Sequence, residues 1–206
     1  MKRSLTVAAL IGLLAGCRSH EARATLTIAA AADLNFAMEE VSKEFRKEYP
    51  AIELKVVYGS SGNFYSQIQN HAPFDLFLSA DVEYPRRLAQ EQLAAADSLF
   101  VYAVGRLVVW VPANSSLDPA TALTADSVRH VAIANPQHAP YGKAAVAALH
   151  SLGVFDSVEG KLVMGENVAQ TLQFAESGAA IVAVVPRVTT PTCADVFSSA
   201  SSWLAA

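Results

Sequence analysis

An α/β fold of two lobes is what this 206-residue sequence predicts, and three observations carry that expectation. Strand-like and helix-like hydrophobic patterns alternate along most of the chain, as they do where parallel strands are joined by helical crossovers. Three strand–loop–helix units succeed one another up to Leu88, so three loops fall on one edge of a sheet, where ligands of open α/β sheets bind. The pattern then breaks at Pro112 and Asn114-Ser115-Ser116 and restarts, which marks the passage from a first lobe to a second. A cleft between two lobes is the usual seat of a small ligand.

Ala24 to Ala31 reads as a first buried strand. Asp33 stands where a helix cap belongs, and Leu34, Ala37, Met38, Val41 and Phe45 recur at helical spacing behind it. Ile52 to Tyr58 is a second strand; Gly59-Ser60-Ser61-Gly62 is read as a loop, and Phe64 to Asn70 as the next helix. Asp75 to Ser79 is a third short strand, with Asp81 a cap for the helix through Leu88. Phe100 to Val104 and Arg106 to Val111 are two apolar strand candidates around Gly105. In the second lobe His130 to Ala134 is a strand, Asn135 to Gly142 a loop, and Lys143 to Leu152 a helix. Asn167-Val168 opens a further helix with Thr171, Leu172 and Ala175 on one face, and Ala179 to Val185 is a closing buried strand. The expected boundaries are 24–102 for lobe one, 103–185 for lobe two and 186–206 for an irregular tail rich in Ser, Thr, Ala and Val.

The first 16 residues read as a targeting segment. Lys2 and Arg3 precede an apolar run from Leu5 to Leu14 that is too short to span a bilayer. Leu14-Ala15-Gly16-Cys17 resembles the lipobox of bacterial lipoproteins. That resemblance implies cleavage before Cys17, acylation of its thiol and amine, a short linker over 17–23, and a membrane-anchored domain outside the cytoplasm. Loss of Lys2 and Arg3 takes the formal charge from −4 to about −6. An acidic exported domain without a basic run is a poor partner for nucleic acid. Cys193 is the only other cysteine, so neither an internal disulfide nor a cysteine metal site is expected. The five histidines, at 20, 71, 130, 138 and 150, lack metal-ligand spacing.

The stretch Tyr58 to Phe64 carries the most chemistry. A small, hydroxyl-bearing segment between a strand and a helix aims backbone N–H groups at one spot, and the positive end of the helix dipole points there too. It lacks the Lys-Ser/Thr of a P-loop.

Four segments, in order, resemble the periplasmic molybdate-binding proteins, the solute receptors of ABC-type importers. They are Ile28 to Met38; Gly59-Ser60-Ser61-Gly62 with Ala72 to Asp81; Asn135 to Gly142; and Gly165-Glu166-Asn167-Val168. The resemblance runs from about Thr25 to about Ala180 and implies a type II, two-lobe binding-protein fold with the second lobe inserted. It also implies capture of molybdate or tungstate with no cofactor and no cation-type metal site. Handover to a membrane permease by a monomer is implied by the same resemblance. Four acceptor oxygens of such a dianion are satisfied by neutral N–H and O–H donors in a dry cleft. Carried over position by position, Ser61 donates its hydroxyl and N–H, and Tyr141 and Val168 donate backbone N–H groups. Asp33 falls where many of the family have a serine ligand. An ionised carboxylate there repels a dianion, so Asp33 is expected to turn away and cap its helix while backbone N–H groups face the pocket. After Ala180 the chain departs from the family's pattern. Pro186 stands near its tyrosine ligand, and the return to lobe one is expected to be incomplete, through a shifted reading frame or a truncated gene. The alternatives are a receptor for another tetrahedral oxyanion such as sulfate or phosphate, an exported lipoprotein hydrolase using Ser61 with His71 and Asp75, and a non-functional truncated product.

Overall fold

The computed structural model describes residues 24–187. The targeting segment, Cys17, Cys193, and the expected irregular tail and incomplete return beyond Arg187 lie outside the described residues. Lobe one is built from strand β1 (Ala24–Ala31), a 3-10 turn (Ala32–Leu34), helix α1 (Asn35–Glu48), strand β2 (Ile52–Gly59), helix α2 (Ser61–Gln69), strand β3 (Leu76–Leu78) and helix α3 (Glu83–Gln90). Its three strands are parallel in the order β2–β1–β3. The register pairs Ala31 with Gly59 and Ala30 with Leu78, so all three strands end level. The turns just beyond these ends, at Asp33, Ser61 and Ala80, are thereby gathered on one edge.

The central strand β1 is covered on both faces, which is why its last four residues are buried without alternation. Ile28, Ala30 and Met38 of α1 pack with Leu26, Leu54 and Val56 on one side. On the other side Tyr65, Tyr84 and Leu88 from α2 and α3 pack with Phe77. Asp75 ties β3 to β1: the Thr27 N–H donates to its Oδ2 at 2.7 Å, and its own N–H donates to the Thr27 carbonyl at 2.9 Å.

Lobe two contains strand β4 (Leu107–Trp110), strand β5 (Val131–Ala134), helix α4 (Pro140–Ser151), helix α5 (Phe155–Val158), strand β6 (Leu162–Gly165), helix α6 (Val168–Glu176) and strand β7 (Val182–Pro186). The sheet order is β4–β7–β5–β6, with β4 alone antiparallel. Val131, Ile133, Val182 and Val184 pack with Ala145, Leu149 and Val158 on one face. Ala132, Ala183 and Val185 pack with Val108, Trp110 and Ala175 on the other. The carboxyl ends of β5 and β6 open into α4 and α6, which present their N-termini to lobe one.

Several expectations need correction. Phe100 to Val104 form no strand; they cross between the lobes with Phe100, Val101 and Val104 at least two-thirds exposed, because no sheet edge receives them. Helix α2 begins at Ser61 rather than Phe64, and α4 at Pro140 rather than Lys143, so both expected loops already contain a first helical turn. Pro186 ends β7 instead of starting a tail. Strand β6 and the short α5 are additional to the expected elements.

Candidate anion-binding site

Three helix N-termini meet between the lobes. Ser61 opens α2, Val168 opens α6, and Pro140-Tyr141 open α4. Side chains fix two of these starts. Ser60 Oγ caps α2 by accepting from the Asn63 N–H at 3.4 Å, and Asn167 Oδ1 caps α6 by accepting from the Gln170 N–H at 3.1 Å. Pro140 at the first position of α4 has no N–H to leave unsatisfied there. First-turn N–H groups lack intrahelical partners and carry the positive end of each dipole. They surround a cleft of about 210 Å³, mouth included, lined by Asp33, Ser60, Ser61, Tyr141, Asn167 and Val168 with small alanines and Gly59. Among the described residues no lysine, arginine or histidine lines it.

The four residues singled out from the sequence, Asp33, Ser61, Tyr141 and Val168, all line this one cleft. Ser61 is fully buried, and its Oγ accepts the Ala80 N–H at 3.0 Å. Asp33 behaves otherwise than expected. Helix α1 starts two residues later, with Leu34 at the cap position and no side-chain cap. The Asp33 Oδ2 instead accepts from the Tyr141 hydroxyl of lobe two at 3.0 Å, while Oδ1 is buried without a partner among the described residues. A buried phenol needs an acceptor, and the carboxyl is the one it reaches. Gly105 makes this possible, because a Cβ there would collide with the Tyr141 hydroxyl. Burial raises the Asp33 pKa, with the Tyr141 and backbone hydrogen bonds opposing it. Burial, then the Asp33 charge, push the Tyr102 phenol up to about 12 and hold Tyr141 well above the ordinary phenol range.

A raised carboxyl pKa stabilises the fold fully below the unfolded value of 3.8, and that contribution is lost as pH climbs through the folded value. Asp33→Asn should therefore raise Tm relative to the parent chain, with the gap widening between pH 4 and pH 8 in thermal melts. A gap that stays constant or narrows would contradict the cost assigned to ionised Asp33.

The lobes are held together beside the cleft by contacts that sequence reasoning missed. Gly62 N–H donates to the His138 carbonyl at 2.8 Å, and Ser60 Oγ lies 2.9 Å from His138 Nδ1. Asn63 Nδ2 donates to Glu166 Oε1 at 2.7 Å, and Lys143 Nζ donates to the Tyr84 hydroxyl at 3.1 Å. His138 stands in the predicted loop of lobe two, but nothing in the local sequence signals its partner 78 residues away. Ser60, His138 and Glu166 (Nε2 to Oε2 3.6 Å) have the connectivity of a hydrolytic triad. Ser60 Oγ is, however, already engaged by the Asn63 N–H and by both His138 groups. The alternative set of Ser61, His71 and Asp75 is not assembled. Ser61 opens α2 and His71 lies beyond its far end at Gln69, about 12 Å along the axis at 1.5 Å per residue, and Asp75 is spent on Thr27. Asp81 does act near its expected place: its Oδ1 accepts from the Tyr84 N–H at 3.2 Å, one residue outside the cap of α3. Among the described residues no cluster could hold a metal cation, and no helix is long and apolar enough to cross a membrane.

Comparison with known proteins agrees with this geometry. Residues 26–193 match the family described as bacterial extracellular solute-binding protein. The molybdate-binding protein ModA of Azotobacter vinelandii is 41% identical over 175 residues, covering 84% of this chain and 68% of that protein. ModA of Rhodobacter capsulatus is 37% identical over 178 residues, covering 86% and 70%. The solved periplasmic molybdate-binding protein of A. vinelandii superposes with a TM-score of 0.74 at 34% identity, covering 78% of this chain and 71% of that one. These relatives are binding proteins, not enzymes. The chain belongs to the bacterial extracellular solute-binding proteins, in the ModA family.

Proposed function

We propose that this exported protein captures molybdate, or the similar tungstate, in the cleft between its lobes and delivers it to an ABC importer while a lipid on Cys17 tethers it to a membrane. One observation carries the reading: three helix N-termini and the Ser61 hydroxyl converge on a cleft whose lining has no cationic side chain among the described residues. Neutral donors and dipoles bind a fully ionised tetrahedral anion without closing the cleft around an ion pair. The names of the relatives above support molybdate as the anion, and the lipobox-like Leu14 to Cys17 supports the anchor.

Calorimetric titration of molybdate, tungstate, sulfate and phosphate into the purified protein tests the reading. Molybdate and tungstate should bind at least about tenfold more tightly than sulfate or phosphate, because fixed donors cannot adjust to shorter bonds, and one lost charge-assisted hydrogen bond is worth that much. Absence of heat and of any thermal shift with every oxyanion would overturn it. Detergent-phase partitioning that survives Cys17→Ser would refute the anchor alone.

A further inference from the structure

Among the described residues Asp33 is the one charged residue lining the cleft. The groups around it offer no compensation. Tyr141 of α4 gives its hydroxyl to Oδ2, and the nearby phenol of Tyr102, in the segment crossing between the lobes, is neutral. On the other side Asp33 lines an adjoining groove of about 690 Å³, mouth included, with Asn35, Gln173 and Glu176 of α6, where the only other charge is also negative. Among the described residues no lysine, arginine or histidine lines either cavity, and Oδ1 is left buried and without a partner. An ionised carboxylate can only accept, whereas a protonated one has a hydrogen to give. With Oδ2 occupied as an acceptor, the proton of the neutral form belongs on Oδ1, the oxygen that otherwise has nothing to do.

We propose that Asp33 holds the oxyanion as a carboxylic acid, giving the hydrogen on Oδ1 to a ligand oxygen, so that one proton is taken up with each dianion bound. The inference rests on the oxyanion-receptor reading above. It resolves the conflict between an acidic residue and an anionic ligand: the acid becomes one more neutral donor in a ring of neutral donors. Burial already favours the neutral carboxyl in the unliganded protein, and a dianion beside it favours that form further. Affinity is then full below the free protein's Asp33 pKa. It falls about tenfold per pH unit between the free and bound values and levels off above the bound value, the behaviour of one linked proton.

The test is calorimetric titration of molybdate from pH 6 to pH 9, in buffers of different ionisation enthalpy, into the parent protein and Asp33→Asn, with thermal melts reporting folding. The asparagine amide is a permanent neutral donor of nearly the same shape. The parent should take up close to one proton per molybdate where its affinity falls. Asp33→Asn should take up none at the same pH, keep a flatter profile, and bind at least tenfold more tightly than the parent at pH 9. Ser61→Ala, which leaves Asp33 in place, should lose affinity yet keep the parent's proton uptake. Parent and Asp33→Asn sharing one pH profile, or zero proton uptake by the parent, would overturn the inference while leaving the receptor reading intact. No molybdate binding by either protein at any pH would overturn both.

Discussion

Gly62→Ala is expected to weaken molybdate binding by about a hundredfold or more while both lobes remain folded. A Cβ on Gly62 would lie 2.5 Å from the His138 carbonyl oxygen, 2.8 Å from its Cα and 2.7 Å from the Tyr84 hydroxyl. Two of those atoms are backbone of the opposite lobe, so a rotamer change cannot relieve the contact. The lobes must stand further apart, and the Gly62 N–H then loses the His138 carbonyl it reaches at 2.8 Å. Helix α2 itself gains, since alanine is the better helix former by up to about 1 kcal/mol. The Tyr84 hydroxyl is the far end of a lobe-one side chain and must shift in either state. The contact with the His138 backbone is therefore the part that penalises the closed state alone, and apparent affinity scales with the population of that state. A hundredfold loss corresponds to about 2.7 kcal/mol of closing free energy. Calorimetry gives the affinity, thermal melts the folding, and solution scattering the width of the open form. Parent-like affinity in Gly62→Ala would show that the contacts between α2 and the His138 loop do not form in the bound state.

How legible each feature is in the sequence depends on how local its determinants are. Strands β1, β2 and β5 are readable to within a residue because β1 and β5 contain buried apolar runs, β2 is rich in β-branched and apolar residues around Glu53 and Lys55, and turn residues bound them. The start of α2 is not. Ser60, Ser61, Gly62 and Asn63 are weak helix formers and look like a loop, but Ser60 is the cap and the three behind it form the first turn. Reading them as a loop places them at the end of β2, beside the cleft, but gets their geometry wrong, since their N–H groups belong to a helix rather than a turn. Phe100 to Val104 show the opposite failure. Their composition is that of a strand, yet pairing depends on a neighbour, and the exposed segment has none among the described strands. Asp33 is the deepest case. Capping chemistry is written in residues two or three apart, whereas its actual partner, Tyr141, is 108 residues away in the other lobe. The cross-lobe contacts of His138, Glu166 and Lys143 are hidden for the same reason. Tertiary context decides each of them.

Ser61→Ala should lower affinity for molybdate about 10- to 100-fold, in proportion to one charge-assisted hydrogen bond of about 1.5–3 kcal/mol. The Ser61 hydroxyl has two roles. Ser61 is 1% exposed, and its Oγ accepts the Ala80 N–H at 3.0 Å, which pins the oxygen between the ends of β2 and β3. A hydroxyl that accepts one bond still has a hydrogen to place, and Ser61 has no acceptor for it among the described residues while lining the cleft. An oxyanion supplies that acceptor. Because the Ala80 contact orients the hydroxyl before ligand arrives, little ordering remains to be done on binding. Removing Oγ also strands the Ala80 N–H, so thermal stability should fall by about 1–2 kcal/mol. The two effects are separable. Stability depends on the acceptor role and affinity on the donor role, so affinity must fall even when titrations are run well below the lowered Tm. A variant that melts earlier but binds molybdate like the parent would reduce Ser61 to a brace between two strands and move the anion's donors to the backbone of α2, α4 and α6.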